Sequence, residues 1–275
     1  MTRIALFQSN TGIDPKANAE ALVGAIGEAA RGGAEMLFTP EMSGLLDRDS
    51  ARASANLRPE EGDEVLAACR EAARNNAIWQ HLGSLAVRVD DGKVANRGFV
   101  IDDTGAIRAR YDKIHLFDVD LPTGESWRES AVYQGGKGAV LVDGTPLGKV
   151  GLTICYDLRF PALFARLAEG GADLIAVPAA FTVPTGRAHW HVLLRARAIE
   201  AGLFVVAAAQ IGQHEDGRHT FGHSLVVDPW GEVVLEMAEQ VGVGFADIDL
   251  GRIAEVRSRI PALNHRRPVP EAVIR

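Results

Sequence analysis

The chain has 275 residues, of which 47% are hydrophobic and 24% are charged, as in ordinary globular proteins. Its net charge of −7 and its lack of a dense Lys/Arg run argue against a nucleic-acid partner. The apolar runs are too short to span a bilayer and the first residues have no signal-peptide pattern, so we expect a cytoplasmic protein that does not engage a membrane. Two cysteines, Cys69 and Cys155, are too few for a disulfide scaffold or a structural zinc site.

The predicted elements alternate between strands and helices. In the first half, the apolar pattern predicts a strand at 4–7, a helix at 16–30, a strand at 35–38, a helix at 59–75 and a hairpin at 99–105. The second half repeats this order, with a strand at 150–154, a helix at 161–169, an apolar strand after Gly171, a helix at 188–201 and a hairpin at 225–231.

Two short phrases support an internal repeat. Residues 32–40 and 170–178 both read Gly-Gly-Ala, an acid, an apolar run and Pro, at an offset of 138 residues. Each half mixes crossover helices with hairpins, which predicts a mixed sheet. We therefore predict an α/β fold, a four-layer αββα sandwich of two mixed β-sheets with an internal pseudo-two-fold repeat. No linker separates the halves, so we expect one domain over 1–275, with a proline-containing tail at about 260–275.

Cys155 is the first candidate for chemistry. It follows an apolar strand and precedes a helix, where backbone N–H groups and the helix N-terminus favour a thiolate. A buried, inert cysteine is the alternative interpretation of the same position. Cys69 lies within a predicted helix among alanines, which is typical of an inert core residue.

A cysteine nucleophile needs a base, and the sequence offers several. His115, His189 and His191 are candidates, but their spacing favours none of them. Glu41 follows a predicted strand, and its counterpart in the repeat is Ala179, so the fold pattern does not require an acid there. Lys113 also ends a predicted strand. Taken singly, Glu41 and Lys113 are equally well explained as solvated or salt-bridged charges.

Together, these strand-end residues resemble the signature of the nitrilase, or carbon–nitrogen hydrolase, superfamily. The matching phrases are TPE at 39–41, YDKIHLF at 111–117 and GLTICYDLRFP at 151–161. The resemblance runs from about residue 3 to 268. It implies that Cys155 is the nucleophile, Glu41 the general base, and Lys113 an oxyanion donor together with the backbone N–H of Tyr156. It also implies a supporting glutamate between the lysine and cysteine motifs, for which Glu129 is the best match.

Within the superfamily, the chain is most similar to the deaminated glutathione amidase branch, with the omega-amidases next. The phrases FTVPTGRAHW at 181–190, LRARAIE at 194–200 and FGHS at 221–224 carry this likeness. It implies hydrolysis of a small carboxylate-bearing amide through a Cys155 thioester, with release of ammonia and with no metal or organic cofactor. One departure is His191, where many relatives have Glu, near the expected pocket.

Substrate recognition is a further expectation. A carboxylate on the substrate calls for Arg or backbone donors, and Arg159 and Arg187 are candidates. Phe160, Thr182 and His191 complete the predicted substrate-binding set. The resemblance also implies at least a homodimer.

Other functions remain open at this stage. They are an omega-amidase acting on 2-oxo acid amides, an N-carbamoyl amine hydrolase, a papain-like Cys–His hydrolase, and an interaction protein without activity on the same fold.

Overall fold

Strands and helices alternate along both halves of the chain. The computed structural model describes residues 1–89, 92–120, 124 and 126–274. Its strands are β1 (Thr2–Gln8), β2 (Met36–Phe38), β3 (Trp79–Arg88), β4 (Val94–Ile101), β5 (Ile107–Asp112), β6 (Asp118–Asp120), β7 (Ser126–Arg128), β8 (Val140–Thr145), β9 (Gly148–Leu152), β10 (Leu174–Ala176), β11 (Phe204–Ala207), β12 (Ile211–Gln213), β13 (His219–Phe221), β14 (Leu225–Val227), β15 (Val233–Glu236) and β16 (Gly242–Ile248). Its α-helices are α1 (Pro15–Arg31), α2 (Ser50–Asn56), α3 (Glu64–Asn76), α4 (Pro161–Glu169), α5 (Val183–Ala201) and α6 (Gly251–Arg259).

The strands form two large mixed sheets. The first sheet has the order β16-β1-β2-β3-β4-β5 and the second has the order β15-β14-β11-β10-β9-β8. In the first sheet β1, β2 and β3 are parallel, and β4 and β5 follow as antiparallel strands. In the second sheet β9, β10 and β11 are parallel, and β14 and β15 follow in the same way. The predicted repeat is therefore confirmed by strand order and direction.

Two apolar clusters define the layers. The first sheet packs one face against α1 and α3, through residues such as Leu22, Leu66 and Leu37. Its other face contributes residues such as Ile4 to a larger apolar cluster. That cluster also contains residues of the second sheet and of the helices α4 and α5. The order of layers is helix, sheet, sheet, helix, and the four-layer prediction is confirmed. Burying both faces of each sheet is what these long apolar strands require.

The turns that end α1 and α4 are equivalent in the two halves. Gly33 and Gly171 adopt φ of 78° and 86°, in the left-handed region that glycine enters without a side-chain penalty. Each of these glycines precedes a short buried strand, β2 in the first half and β10 in the second. The Gly-Gly-Ala phrase thus marks a helix-to-strand turn used twice.

Two predicted helix starts were wrong. The helix predicted at 59–75 begins at Glu64, because the Asp63 side chain accepts a hydrogen bond from the Leu66 N–H at 2.9 Å and caps it there. The helix predicted at 188–201 begins at Val183, since Pro184 lies in its first turn, where the missing N–H is not needed. None of the described helices is long and apolar enough to cross a membrane.

Candidate active site

Strand ends from both sheets surround one cavity. Glu41 lies three residues beyond β2, Lys113 directly follows β5, and Cys155 lies three residues beyond β9. Because β5 runs in the same direction as β2, both strands deliver their carboxyl ends to the same edge of the first sheet. Cys155, which follows β9 of the second sheet, faces this edge of the first sheet. A cavity of about 250 Å³ is lined by Glu41, Lys113, Glu129 and Cys155 together.

Lys113 lies between two carboxylates. Its Nζ donates to Glu41 Oε1 at 2.9 Å and to both oxygens of Glu129, at 3.1 and 2.9 Å. The Lys113 side chain is only 2% exposed, so the ammonium has exchanged water for these partners. Glu129 also accepts the Phe117 N–H at 2.7 Å, which anchors it to the loop after β5. The structure thus brings all four of these sequence-predicted residues together.

Asn96 joins the same network and was missed by the sequence analysis. Its amide nitrogen donates to Glu41 Oε1 at 2.9 Å and to Glu129 Oε1 at 3.2 Å. Asn96 lies in β4, within a strand whose apolar pattern does not distinguish it. One feature could have pointed to Asn96, namely that its strand pairs with β5, which leads to Lys113. In the structure, the Lys113 N–H donates to the Asn96 carbonyl at 2.9 Å.

A strained turn presents Cys155. Its φ of 49° lies in the left-handed region, which is unusual for a residue with a side chain. Its N–H donates to the Pro178 carbonyl at 2.9 Å, so the strand end after β10 holds the turn in place. Buried Asp157 closes the turn by accepting the Ile154 N–H at 2.9 Å and the Tyr111 hydroxyl at 2.6 Å. These contacts compensate for the strain and aim the thiol into the cavity.

The electrostatics of the cluster favour charged Glu41 and Lys113. Burial raises the pKa of Glu41, but the Lys113 charge and hydrogen bonds from Cys155, Lys113 and Asn96 outweigh it, so the pKa lies below its ordinary value of 4.5. Burial lowers the pKa of Lys113, yet the charges of Glu129 and Glu41 raise it well above 10.5. The free site therefore holds the Glu41 carboxylate beside the Lys113 ammonium.

The Cys155 thiol is neutral in this environment, contrary to the thiolate that its place before a helix led us to expect. Burial raises its pKa well above 9.0, and the Glu41 charge adds to this, while Lys113 opposes it. A neutral thiol beside an ionised carboxylate can be activated only by giving up its proton as it attacks. Cys69, in contrast, lies in the core between helices and sheet, and burial raises its pKa to about 12.

Two hydrogen-bond donors belong to residues of the cavity that Cys155 also lines. One is Lys113 Nζ, and the other is the backbone N–H of Tyr156, which has no acceptor among the described residues. Two donors directed at one developing oxyanion would stabilise a tetrahedral intermediate.

Four arginine side chains line the same cavity. Arg48, Arg128, Arg159 and Arg218 belong to its walls. The guanidinium groups of Arg48 and Arg218 lie 5.4 and 5.1 Å from the centroid of the Trp127 ring. Sequence reasoning predicted Arg159 but missed Arg48 and Arg218, which come from distant parts of the chain.

The remaining predicted substrate-binding residues divide into two groups. Thr182 is buried and lines the cavity. Phe160 stacks on His115 at a centroid distance of 3.6 Å, behind the cavity wall. Arg187 is exposed on α5 and His191 pairs with Glu236 at 3.0 Å, and neither lines the cavity.

The candidate histidine bases do not face Cys155. His115 Nδ1 pairs with Asp157 at 2.7 Å, and His189 contacts Arg159 at 3.3 Å. Neither of them lines the cavity, and His191 does not either. His219 does line the cavity, but the Cys155 thiol hydrogen-bonds to Glu41, which is therefore placed to take its proton.

Comparison with known proteins identifies the family of the chain. The Carbon-nitrogen hydrolase family model matches residues 3–258. Deaminated glutathione amidase of Mus musculus is 40% identical over 269 residues, covering 96% of this chain and 83% of that protein.

Two solved structures are similar across nearly the whole chain. The Caenorhabditis elegans NitFhit protein has a TM-score of 0.89 at 39% identity, covering 97% of this chain and 65% of that one. An amidase mutant from Nesterenkonia sp. AN1, in which acrylamide has added to the active-site cysteine, has a TM-score of 0.78 at 25% identity, covering 95% and 98%. The chain belongs to the carbon-nitrogen hydrolase family and is an enzyme of that class.

Proposed function

We propose that this protein hydrolyses a small carboxylate-bearing amide through a thioester on Cys155. The observation that carries the proposal is the convergence of Glu41, Lys113 and Cys155, all buried, on one cavity. A structural salt bridge would not require a thiol on a strained turn beside it. A protein that only binds partners on this fold would need none of the three.

The first half of the reaction forms the thioester. Cys155 Sγ attacks the amide carbonyl carbon as its proton passes to Glu41. The oxyanion takes hydrogen bonds from Lys113 Nζ and the Tyr156 N–H, each typically worth about 10²–10³ in rate. Glu41 then gives its proton to the departing nitrogen, and the carbon–nitrogen bond breaks.

The second half releases the acid. Glu41 takes a proton from water, the resulting hydroxide attacks the thioester carbonyl, and the carboxylic acid leaves as the Cys155 sulfur regains a proton. Glu129 acts as a positioning residue, because it holds Lys113 from the side opposite Glu41. All proton transfers use the chain's own residues, the amide substrate and water.

The arginines that line the cavity favour the binding of an anionic substrate. Arg48 and Arg218 lie together at Trp127, while Arg159 lies over the Tyr156 and Phe181 rings at 5.8 and 5.5 Å. Two separate cationic positions suit an amide with a carboxylate at each end. Deaminated glutathione has this form, and the 40% identical relatives bear its name. We propose an amide of this kind as the substrate.

A substrate panel tests the choice of amide. Deaminated glutathione releases a peptide amine and not the ammonia that the resemblance led us to expect, whereas 2-oxoglutaramate releases ammonia. N-carbamoyl amines release ammonia, carbon dioxide and the parent amine. The assay therefore follows both ammonia and the freed amine. We expect the highest kcat/KM for the amide with two carboxylates. A higher value for 2-oxoglutaramate or for an N-carbamoyl amine would favour omega-amidase or carbamoyl-amine hydrolase activity instead.

The nucleophile is tested by substitution and mass measurement. Cys155→Ala should reduce turnover by on the order of 10⁴-fold or more, because no thioester can form. Cys69→Ala is the matched control and should keep activity, since Cys69 lies in the core away from the cavity. Intact-mass and peptide analysis of substrate-treated enzyme should place an acyl group on Cys155. Retained turnover in Cys155→Ala, or an adduct on Cys69 alone, would refute the proposal.

We further propose that the enzyme is a cytoplasmic homodimer or larger homo-oligomer. Both cysteines are free, which suits a reducing compartment. Helix α5 carries exposed apolar side chains, with Val192 68% and Ile199 53% exposed, and Trp230 lies nearby at 44%. Apolar groups of this size on one surface favour association with a second copy.

A further inference from the structure

Three potential metal ligands converge outside the catalytic cavity. His191 on α5, His223 before β14 and Glu236 at the end of β15 place their ligand atoms within 4.8 Å of one another. His191 Nε2 lies 3.0 Å and His223 Nδ1 lies 2.7 Å from Glu236 Oε1. None of the three lines the cavity of Cys155. The group is referred to below as the His-His-Glu cluster.

We propose that the His-His-Glu cluster binds a divalent transition-metal ion of the zinc type. Two imidazole nitrogens and one carboxylate oxygen form a ligand set that suits zinc, with bonds of roughly 2.0–2.2 Å. Ligands at this distance from a tetrahedral ion are separated by about 3.3–3.6 Å. The two measured separations from Glu236 are slightly shorter than this, so a small outward movement of the side chains admits the ion.

The chain holds His223 as a rigid ligand. Its φ of 56° is in the left-handed region, and its carbonyl accepts the Trp190 Nε1–H at 2.8 Å. Its ring stacks on Phe221 at a centroid distance of 4.3 Å. A strained residue fixed by its neighbours is typical of a position that serves a site.

The other two ligands lie on regular elements and are reachable from solvent. The side chains of His191 and Glu236 are 35% and 36% exposed. Three protein ligands leave a fourth position for water.

The bound ion would act as a clamp. It would join α5 to the β14–β15 hairpin and to the chain immediately after β13, whose Thr220 lines the catalytic cavity. The proposed hydrolysis does not use the ion, so the two proposals stand or fall separately. The competing explanation is a His-Glu-His hydrogen-bonded group that binds no metal.

Metal binding is measured directly on the untagged full chain. A Cys155→Ala background removes the reactive thiol as a competing ligand. Calorimetric titration with Zn²⁺ should give one site per chain, and Mg²⁺, which prefers oxygen ligands, should give none. Co²⁺ should give visible d–d absorption characteristic of nitrogen and oxygen ligands. Zn²⁺ should also raise Tm, because it binds the folded chain.

Variants distinguish the cluster from other histidines. In the same background, His191→Ala and Glu236→Gln should each weaken Zn²⁺ binding by on the order of 100-fold and abolish the Zn²⁺-dependent rise in Tm. His265→Ala, on the exposed tail, is the control and should bind as the parent does. A metal-free Tm close to that of the parent would show that each variant is folded. Absence of Zn²⁺ binding in the parent, or equal binding in all variants, would overturn the proposal.

Discussion

Charge compensation within a small buried volume is the main physical feature of the active site at the residue scale. Lys113 is shared by Glu41 and Glu129, and Asn96 bonds to both carboxylates. Removing one member of such a buried ion cluster leaves an uncompensated charge, which typically costs about 3–5 kcal/mol. The cluster is therefore stable only as a set, and in the proposed reaction the proton moves between the Cys155 thiol and Glu41.

The pH dependence of kcat/KM follows from these shifts. Because the pKa of Glu41 is held below 4.5, its ionised form and the stability that it contributes persist at neutral pH and are lost only as pH falls through the lowered value. The basic limit lies above 9.0, set by the raised pKa of Cys155. We therefore expect a flat profile across the neutral range, measured by steady-state kinetics.

The Asn96→Ala variant gives a further test of the pH profile. Asn96→Ala removes a hydrogen bond that lowers the pKa of Glu41, so it should move the acid limb upwards towards 4.5. An inflection near 6.5, the ordinary pKa of histidine, would instead indicate a histidine base and contradict the role proposed for Glu41.

Close packing of the backbone of β3 against the segment after β2 sets the position of Glu41. Gly83 lies in β3 beside the segment that carries Thr39 and Pro40, and its N–H donates to Thr39 Oγ1 at 3.0 Å. A Cβ at Gly83 would overlap the carbonyl oxygens of both residues and also the side chain of Pro178. Pro178 in turn accepts the Cys155 N–H, so this contact joins the strand ends of both halves.

Gly83→Ala should therefore impair both stability and activity. The added methyl group has no space, and overpacking of this kind costs about 1–3 kcal/mol. Urea unfolding followed by circular dichroism gives the free energy of unfolding, and the amide assay gives kcat. Gly24→Ala is the matched control, since a Cβ there meets nothing within 4 Å and helix α1 should gain about 0.5–1 kcal/mol. A Gly83→Ala protein with unchanged stability and kcat would contradict this account.

The whole molecule depends on contacts between its two halves. One apolar cluster draws residues from both sheets, including Ile4 and Leu152. Gln210, fully buried, donates to the Glu41 carbonyl at 2.9 Å and to Thr11 Oγ1 at 2.7 Å, tying the second half to the site in the first. We propose on this basis that residues 1–275 behave as one domain.

Assembly is tested at this scale by light scattering. Val192→Asp puts a charge on the exposed apolar surface of α5 and should shift the protein towards monomers at micromolar concentration. Val23→Asp, on α1 outside the first sheet and 39% exposed, is the control and should leave the mass unchanged. A parent protein that is already monomeric would refute the proposed homo-oligomer.

Much of the architecture could be predicted from local sequence. Apolar periodicity and the repeated Gly-Gly-Ala turn identify the strands and helices that the two halves share, because these depend on neighbours within a few residues. The places of Glu41, Lys113 and Cys155 after strands were also predictable, since parallel strands bring their carboxyl ends to one edge. Family resemblance supplied their roles, which spacing alone left open.

Other parts of the site were decided only by tertiary structure. Asn96 reaches Glu41 across 55 residues of sequence, and Arg48 and Arg218 meet at Trp127 from opposite halves. His191, expected near the pocket, pairs instead with Glu236. The sequence by itself determined the repeated strands and helices of the two halves and their order, because local periodicity encodes them, but it did not predict α2, α6 or β16. Which side chains meet was decided by the packing of two sheets, since that packing sets distances between residues far apart in the chain.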